Sequence, residues 1–182
     1  MALQQCGLNL NKRLKELQPH GSLEFPCAGY SSYHTERPED VIPWHWHEEI
    51  EIIQITEGQM KLKTPSSSFL LSKGQMAVIN SNILHYAEAV SEYTLHSLVF
   101  SPVLITGGNE SAFAKKYILP ILSCRLFTGY QIESDLNQQA SRWFSCAFDA
   151  LSNDRRGYEF IVRENLSHIC FCLYDKFESQ LS

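Results

Sequence analysis

The stretch Trp44-His45-Trp46-His47-Glu48-Glu49-Ile50-Glu51 holds the densest set of side chains able to do chemistry. Residues two apart on a strand share a face, so His45 and His47 point the same way and Glu51 keeps their parity. Glu49 shares that parity too, and an unbroken strand would bring two carboxylates inside. A bend near Glu48–Glu49 resolves the conflict and leaves Glu51 facing inward. His85 arrives later, on a separate strand. Two or three imidazoles and one carboxylate from neighbouring strands suit Zn, Fe(II), Mn or Ni, which makes His45, His47, Glu51 and His85 the candidate metal ligands. Two other readings stay open: the histidines hydrogen-bond a small effector without metal, or they are hydrogen-bonded groups with no ligand.

Trp44 and Trp46 flank the histidines. Aromatic walls with a few convergent polar groups are the usual make-up of a small-molecule site, so the candidate ligand-binding set is Trp44, Trp46, His47, Glu51 and His85. The competing reading packs one Trp in the core and leaves the other at the surface or an interface. Tyr33, His34, Tyr86 and His96 are weaker candidates.

These residues sit in a region that reads as short strands. From about Leu23 to Phe100, partial alternation over Glu49–Ile55 and clear alternation over Gln59–Lys63 flank a tight-turn signal at Glu57-Gly58. Phe69–Leu71, Met76–Ile79, Ile83–Val90 and Tyr93–Phe100 follow, separated by Lys73-Gly74 and Asn80-Ser-Asn82. Strands so spaced predict a sandwich or barrel. After Gly107-Gly108-Asn109 the period becomes helical. A first helix carries Phe113, Tyr117 and Ile118 and stops at Pro120. A second is capped by Ser134 and bears Leu136, Ala140, Trp143, Phe144, Ala147, Phe148 and Leu151. A third runs from about Gly157 to Phe177 with a wide apolar side. The expected organisation is a barrel with an N-terminal arm over residues 1–105 and a helical region over 106–182. The wide stripes read as intrachain packing or as a dimer seam.

Composition narrows the function classes. The 182 residues carry 15 Lys+Arg against 20 Asp+Glu, a formal charge of -5, and no basic cluster denser than Arg155–Arg156, so this stretch is not expected to grip DNA by itself. No apolar run approaches the roughly 20 residues of a bilayer span, and Met1 to Leu17 lacks the apolar core of a signal peptide. Six scattered cysteines without a CxxC pair read as reduced, mostly buried thiols. A cytoplasmic protein is expected.

His45-x-His47-x3-Glu51-x6-Gly58 matches the first motif of the cupins, and Gly74-x5-Asn80-x-Asn82-x2-His85 resembles the second. Asn80 replaces that family's Pro and Asn82 its Gly. Ala89 stands where its later Asn belongs, and Glu39 in place of the opening Gly. The resemblance implies a jelly-roll barrel whose metal, where present, is held by residues matching His45, His47, Glu51 and His85. The order His-Trp-His-Glu-Glu-Ile-Glu-Ile-Ile, Glu57-Gly58, Leu71-Ser-Lys-Gly74, Val78-Ile-Asn-Ser-Asn82 and Phe113-Ala-Lys-Lys-Tyr-Ile-Leu-Pro-Ile-Leu122 further resembles the N-terminal sensor and dimerisation region of AraC-type transcriptional regulators, over about residues 20–180. It implies a small-molecule effector in the barrel, a homodimer through the C-terminal helices, no enzymatic activity, and DNA contact only through a helix-turn-helix domain, of which residues up to Ser182 show no sign. The signal is expected to leave the barrel through residues 100–109. The rival is a small cupin metalloenzyme of the oxygenase or isomerase type, using His45, His47, Glu51 and His85.

Overall fold

A computed structural model describes residues 3–181. Met1, Ala2 and Ser182, the outer ends of the two expected regions, lie outside the described residues. Eight strands come first: β1 (Cys27–His34), β2 (Ile42–His45), β3 (Ile50–Glu57), β4 (Gln59–Lys63), β5 (Ser68–Ser72), β6 (Met76–Ile79), β7 (His85–Ala89) and β8 (Tyr93–Phe100). They are divided equally between two antiparallel sheets. One has the order β1-β8-β3-β6 and the other β2-β7-β4-β5. This pair of orders is the double Greek key of a jelly roll, the architecture that the cupin resemblance implied.

β3 is the middle of the first sheet, paired with β8 on one side and β6 on the other. Its sequence, Ile50-Glu-Ile-Ile-Gln-Ile55, is nearly all apolar because both of its faces are covered. Ile50 and Ile52 share a face with Val78, Leu98 and Phe100, and this face packs against the C-terminal helices. Ile53 and Ile55 point the other way, into the barrel, with Ala77, Ile79 and Leu95. The turn out of β3 needs Gly58: its φ is +74°, and an added Cβ would lie 1.9 Å from the Glu92 carbonyl oxygen.

The second half adds α1 (Val103–Thr106), a π turn over Ala114–Ile118, α2 (Leu119–Ser123), α3 (Ser134–Ser152) and α4 (Tyr158–Phe177). Three expectations are corrected here. Pro120 does not stop the first helix: the π turn runs straight into α2, and Pro120 sits in the first turn of α2, where its missing N–H matters little. Ser134 is the first residue of α3, not its cap; Glu133, with extended backbone, holds that position. A strand lies inside the region read as helical. β9 (Gly129–Gln131) pairs antiparallel with β6 and becomes the fifth strand of the first sheet. Three residues are too few for a period of two to show.

The change of character near residue 105 is therefore a change of element type within one packed unit. A single apolar cluster joins Ile52, Val78 and Leu98 of the sheet to Phe144, Phe148, Leu166, Ile169 and Leu173 of the helices. The α3 stripe is consumed in that cluster. Phe144 is fully buried, and Trp143 stacks on His168 of α4 at 5.0 Å, so this stripe is core and not a seam. No helix among the described residues is long and apolar enough to cross a membrane. All six cysteines are free; Cys27, Cys124 and Cys170 are buried, while Cys6 and Cys146 are exposed.

Truncating Phe144 to Ala should cost about 3–5 kcal/mol, as for other large aromatic deletions in cores. Denaturant unfolding checks the loss, and sedimentation of the folded variant should show an unchanged mass.

Candidate metal centre and ligand cavity

The chain changes sheets between His45 and Ile50. β2 ends in one sheet at His45, β3 begins in the other at Ile50, and residues 46–49 form the corner. This is the bend expected near Glu48–Glu49, and its consequence is the expected one. His45, His47 and Glu51 all face the barrel interior, while Glu49 turns back towards the edge, 3.7 Å from His47 Nδ1. β7 places His85 directly opposite His45 in the second sheet.

Each histidine is oriented by a backbone carbonyl two residues away. Nδ1 of His45 donates to Pro43 O at 2.8 Å, Nδ1 of His85 to Ile83 O at 2.8 Å, and Nδ1 of His47 to Glu49 O at 3.2 Å. A carbonyl only accepts, so the proton is on Nδ1 and the Nε2 lone pair is free to bind a metal. The ligand atoms of the three rings lie within 4.8 Å of one another, and all three residues are buried. Nε2 of His47 and of His85 have no hydrogen-bond partner. The Glu51 carboxylate stands 3.5 Å from the first and 3.3 Å from the second.

Lone pairs of nitrogen and carboxylate oxygen facing one another at such distances repel unless a positive charge, a metal ion or a proton, lies between them. A tetrahedral ion bonded at roughly 2.0–2.1 Å separates its ligand atoms by about 3.3–3.4 Å, close to the spacing of Glu51 from His47 and His85. The donor set thus fits a divalent transition metal of the kind that imidazole and carboxylate prefer. The electrostatics agree. Burial opposes ionisation of Glu51, but the imidazoles of His47 and His85 beside it hold its carboxyl well below the usual range. Burial, helped by the neighbouring His85, pushes His45 down to about 4, so its ring stays neutral.

The loop before His85 is fixed from the other side. Asn80 is buried, and its side-chain amide donates to the carbonyls of Ile121, Leu122 and Phe127, while its Oδ1 accepts from Ser81 N–H. Asn82 N–H donates to His47 O at 2.8 Å. The short loop from β6 to β7 therefore ties two of the histidines to the end of α2 and the approach to β9.

Neither tryptophan lines the cavity that opens from this cluster. Strand parity explains the correction: with His45 and His47 inside, the residues between and before them face out. Trp44 stacks on Tyr86 at 5.5 Å. Trp46 clamps the N-terminal segment: its Nε1 donates to Arg13 O, its backbone bonds Leu14 O and Glu16 N–H, and the Lys15 ammonium lies 5.3 Å over its ring. Of the weaker candidates, Tyr33 and His34 line the cavity, Tyr86 lies under Trp44, and His96 is stacked on Phe148 outside the barrel.

The N-terminal segment brings two residues that the sequence reading missed. Glu16 and His20 reach the cavity, their side chains 7% and 4% exposed and 3.4 Å apart. His20 Nδ1 lies 2.7 Å from the Tyr30 hydroxyl, which donates to Gln4, and the His20 ring meets His47 edge-on at 5.3 Å. Burial disfavours a charged His20, but Glu16 outweighs it and raises the pKa. Their only signature was a carboxylate four residues before a histidine, a spacing without meaning in a segment that is neither helix nor strand. The cavity holds about 480 Å³, with His45, His47, His85, Glu51, Glu16 and His20 at one end and Ile53, Met60, Leu62, Leu95 and Val99 along its walls.

Zn(II) titration should show one site. His47→Ala or His85→Ala should weaken it by more than the roughly 10–100-fold that loss of an outer-shell partner costs. For the metal-free protein, His45 has a folded pKa of about 4 against 6.5 unfolded. Its contribution is complete above the unfolded value and lost as pH falls towards 4; that of Glu51 is lost at still lower pH. Denaturation midpoints should therefore drop between pH 6.5 and 4, with a stability loss of at most about 3.5 kcal/mol from His45.

A family model described as the AraC-like ligand binding domain matches residues 29–169, through the barrel and into α4. The uncharacterised HTH-type transcriptional regulator YdeC of Bacillus subtilis (strain 168) is 33% identical over 79 residues, 43% of this chain. The chain spans 27% of the length of that relative. Among solved structures, SPY1581, a conserved protein of unknown function from Streptococcus pyogenes, is similar with a TM-score of 0.39 and 17% identity, covering 42% of this chain and 65% of its own. A cupin-2 domain protein from Shewanella frigidimarina gives 0.34 and 18%, covering 43% and 72%. The DMSP lyase DddQ of Ruegeria pomeroyi gives 0.38 and 19%, covering 42% and 39%. On the extent of the family match, the chain belongs to the AraC-like ligand binding domains.

Proposed function

We propose that this chain is the effector-sensing and dimerising module of an AraC-type transcription regulator and is not an enzyme. The observation that carries the reading is the cavity inside the barrel: it is bounded by converging imidazoles at one end and apolar walls along its length, in a chain of the ligand-binding family. A divalent metal held by His45, His47, His85 and Glu51 would offer a Lewis-acidic anchor for an effector oxygen or nitrogen. The protein's own part is to orient the four ligands, enclose the effector and exclude water.

An effector influences a distant element only through different affinities for two arrangements of the protein. Besides the expected path through residues 100–109, the bridge from His47 and His85 through Asn82 and Asn80 to residues 121–128 couples the cavity to the helical half. DNA is reached through a helix-turn-helix domain of the kind the description of YdeC names.

Dimerisation uses the outer face of α4. Phe160, Glu164, Ser167 and Phe171 recur at spacings of 4, 3 and 4 along that face, and the two phenylalanines are 82% and 52% exposed. An antiparallel second copy would set Phe160 against the partner's Phe171 twice about one two-fold axis, the self-complementary pattern a symmetric dimer needs.

Phe160→Glu or Phe171→Glu should convert a sedimenting dimer to monomer and leave Zn(II) binding intact. A dimer that persists in both variants would remove α4 as the seam. Asn80→Ala should cost about 1–3 kcal/mol, since three buried carbonyls lose a donor. It should also abolish any Zn(II)-induced protection of amides 121–131 in hydrogen exchange.

A further inference from the structure

The cavity has a charge pattern that narrows its ligand. Among the described residues no Lys or Arg lines it, whereas four carboxylates do: Glu16 and Glu51 within, Glu39 and Asp40 towards the mouth. Lys15, the cation adjacent in sequence to Glu16, is turned outward to Glu48 at 2.5 Å. A divalent ion at the histidines offsets two of the four negative charges. The cavity is then still negative. A low-dielectric wall of Ile, Leu and Met strengthens that field. Independently of charge, His20 is buried, its Nε2 has no hydrogen-bond partner, and it faces this space beside the Glu16 carboxylate. A buried polar atom without a partner is costly unless a ligand satisfies it.

We propose that the cavity binds a small organic cation: a primary amine whose ammonium lies against Glu16 and His20 and whose hydrocarbon part lies along Ile53, Met60, Leu62 and Leu95. This rests on the effector-binding reading and specifies its ligand class. An ammonium supplies three donors and a positive charge where the protein offers a carboxylate, a ring nitrogen and the Tyr30 hydroxyl. A carboxylate effector of the same size meets no cationic side chain in the cavity. The N-terminal segment is then part of the binding site, since it alone supplies Glu16 and His20.

The test compares n-butylamine, n-butanol and butyrate, which share a hydrocarbon chain and differ in charge, on chelator-treated protein and again on the Zn(II)-loaded form. Calorimetric titration and thermal shift should rank the amine about tenfold tighter than the alcohol and the carboxylate weakest on the metal-free protein. Raising NaCl to 0.5 M should shrink the preference. Glu16→Gln should remove it, leaving the affinity for n-butanol and the Zn(II) stoichiometry as they were. If that variant does not fold, the charge order on the native protein and its salt dependence decide the matter. Preference for n-butanol or butyrate on the metal-free protein, or an amine preference unchanged in Glu16→Gln, overturns the cation proposal and keeps the cavity as an effector site. Binding of none of the three overturns both.

Discussion

Burial of β3 on both faces is the constraint from which the rest of the molecule follows. A strand covered on one face would show Ile50, Ile52 and Gln54 to solvent; here α3 and α4 cover them, so the sheet and the helices share one core. Covering that face commits the opposite one to the barrel interior, and alternation then delivers Glu51 and Ile53 to the cavity and Ile55 to the packed interior beside it. A one-residue slip of β3 would exchange the two sets, putting a carboxylate against the helices and isoleucines among the histidines. The site is thus locked in place by the largest hydrophobic interaction in the protein.

Given that lock, the imidazoles are arranged by local means. Each borrows a carbonyl from two residues away to settle its tautomer, and the corner at residues 46–49 lets one short string feed both sheets. The cost is a group of buried lone pairs and carboxylates with too few protons among them. Such a cluster is poor material for a core and good material for binding a cation. The same imbalance extends to Glu16 and His20, so the histidine cluster and the arm share one buried, proton-poor space.

The helical half is not an appendage to this arrangement. β9 extends the sheet that carries Glu51, and Asn80 joins the loop of His85 to the segment that precedes β9. In the sequence Asn80 looked like a departure from a motif that has proline there. In the structure its amide does what proline has no donor to do, satisfying two carbonyls at the end of α2 and that of Phe127 beyond it. A change at the histidines has a short mechanical path to the helices, built from hydrogen bonds that either keep their geometry or break.

Several features were legible in the chain alone. A sandwich or barrel followed from strand spacing, its jelly-roll form from the resemblance to cupins, the inward set His45, His47 and Glu51 from parity, and the corner from the conflict over Glu49. These are local properties: period two, turn residues and short intervals carry them. Parity also forbade the expectation for Trp44 and Trp46, which cannot wall a cavity that their neighbours face. What only tertiary structure decided is whatever depends on segments far apart in sequence. The arm that brings Glu16 and His20 beside His47 has no periodicity. β9 is too short to signal itself, and an amphipathic stripe such as that of α3 does not say whether its own sheet or a second copy will cover it. The sequence determined which faces are apolar and which atoms can bind a cation; the fold decided what each face meets, because burial is settled by the nearest available surface and not by the residues that seek it.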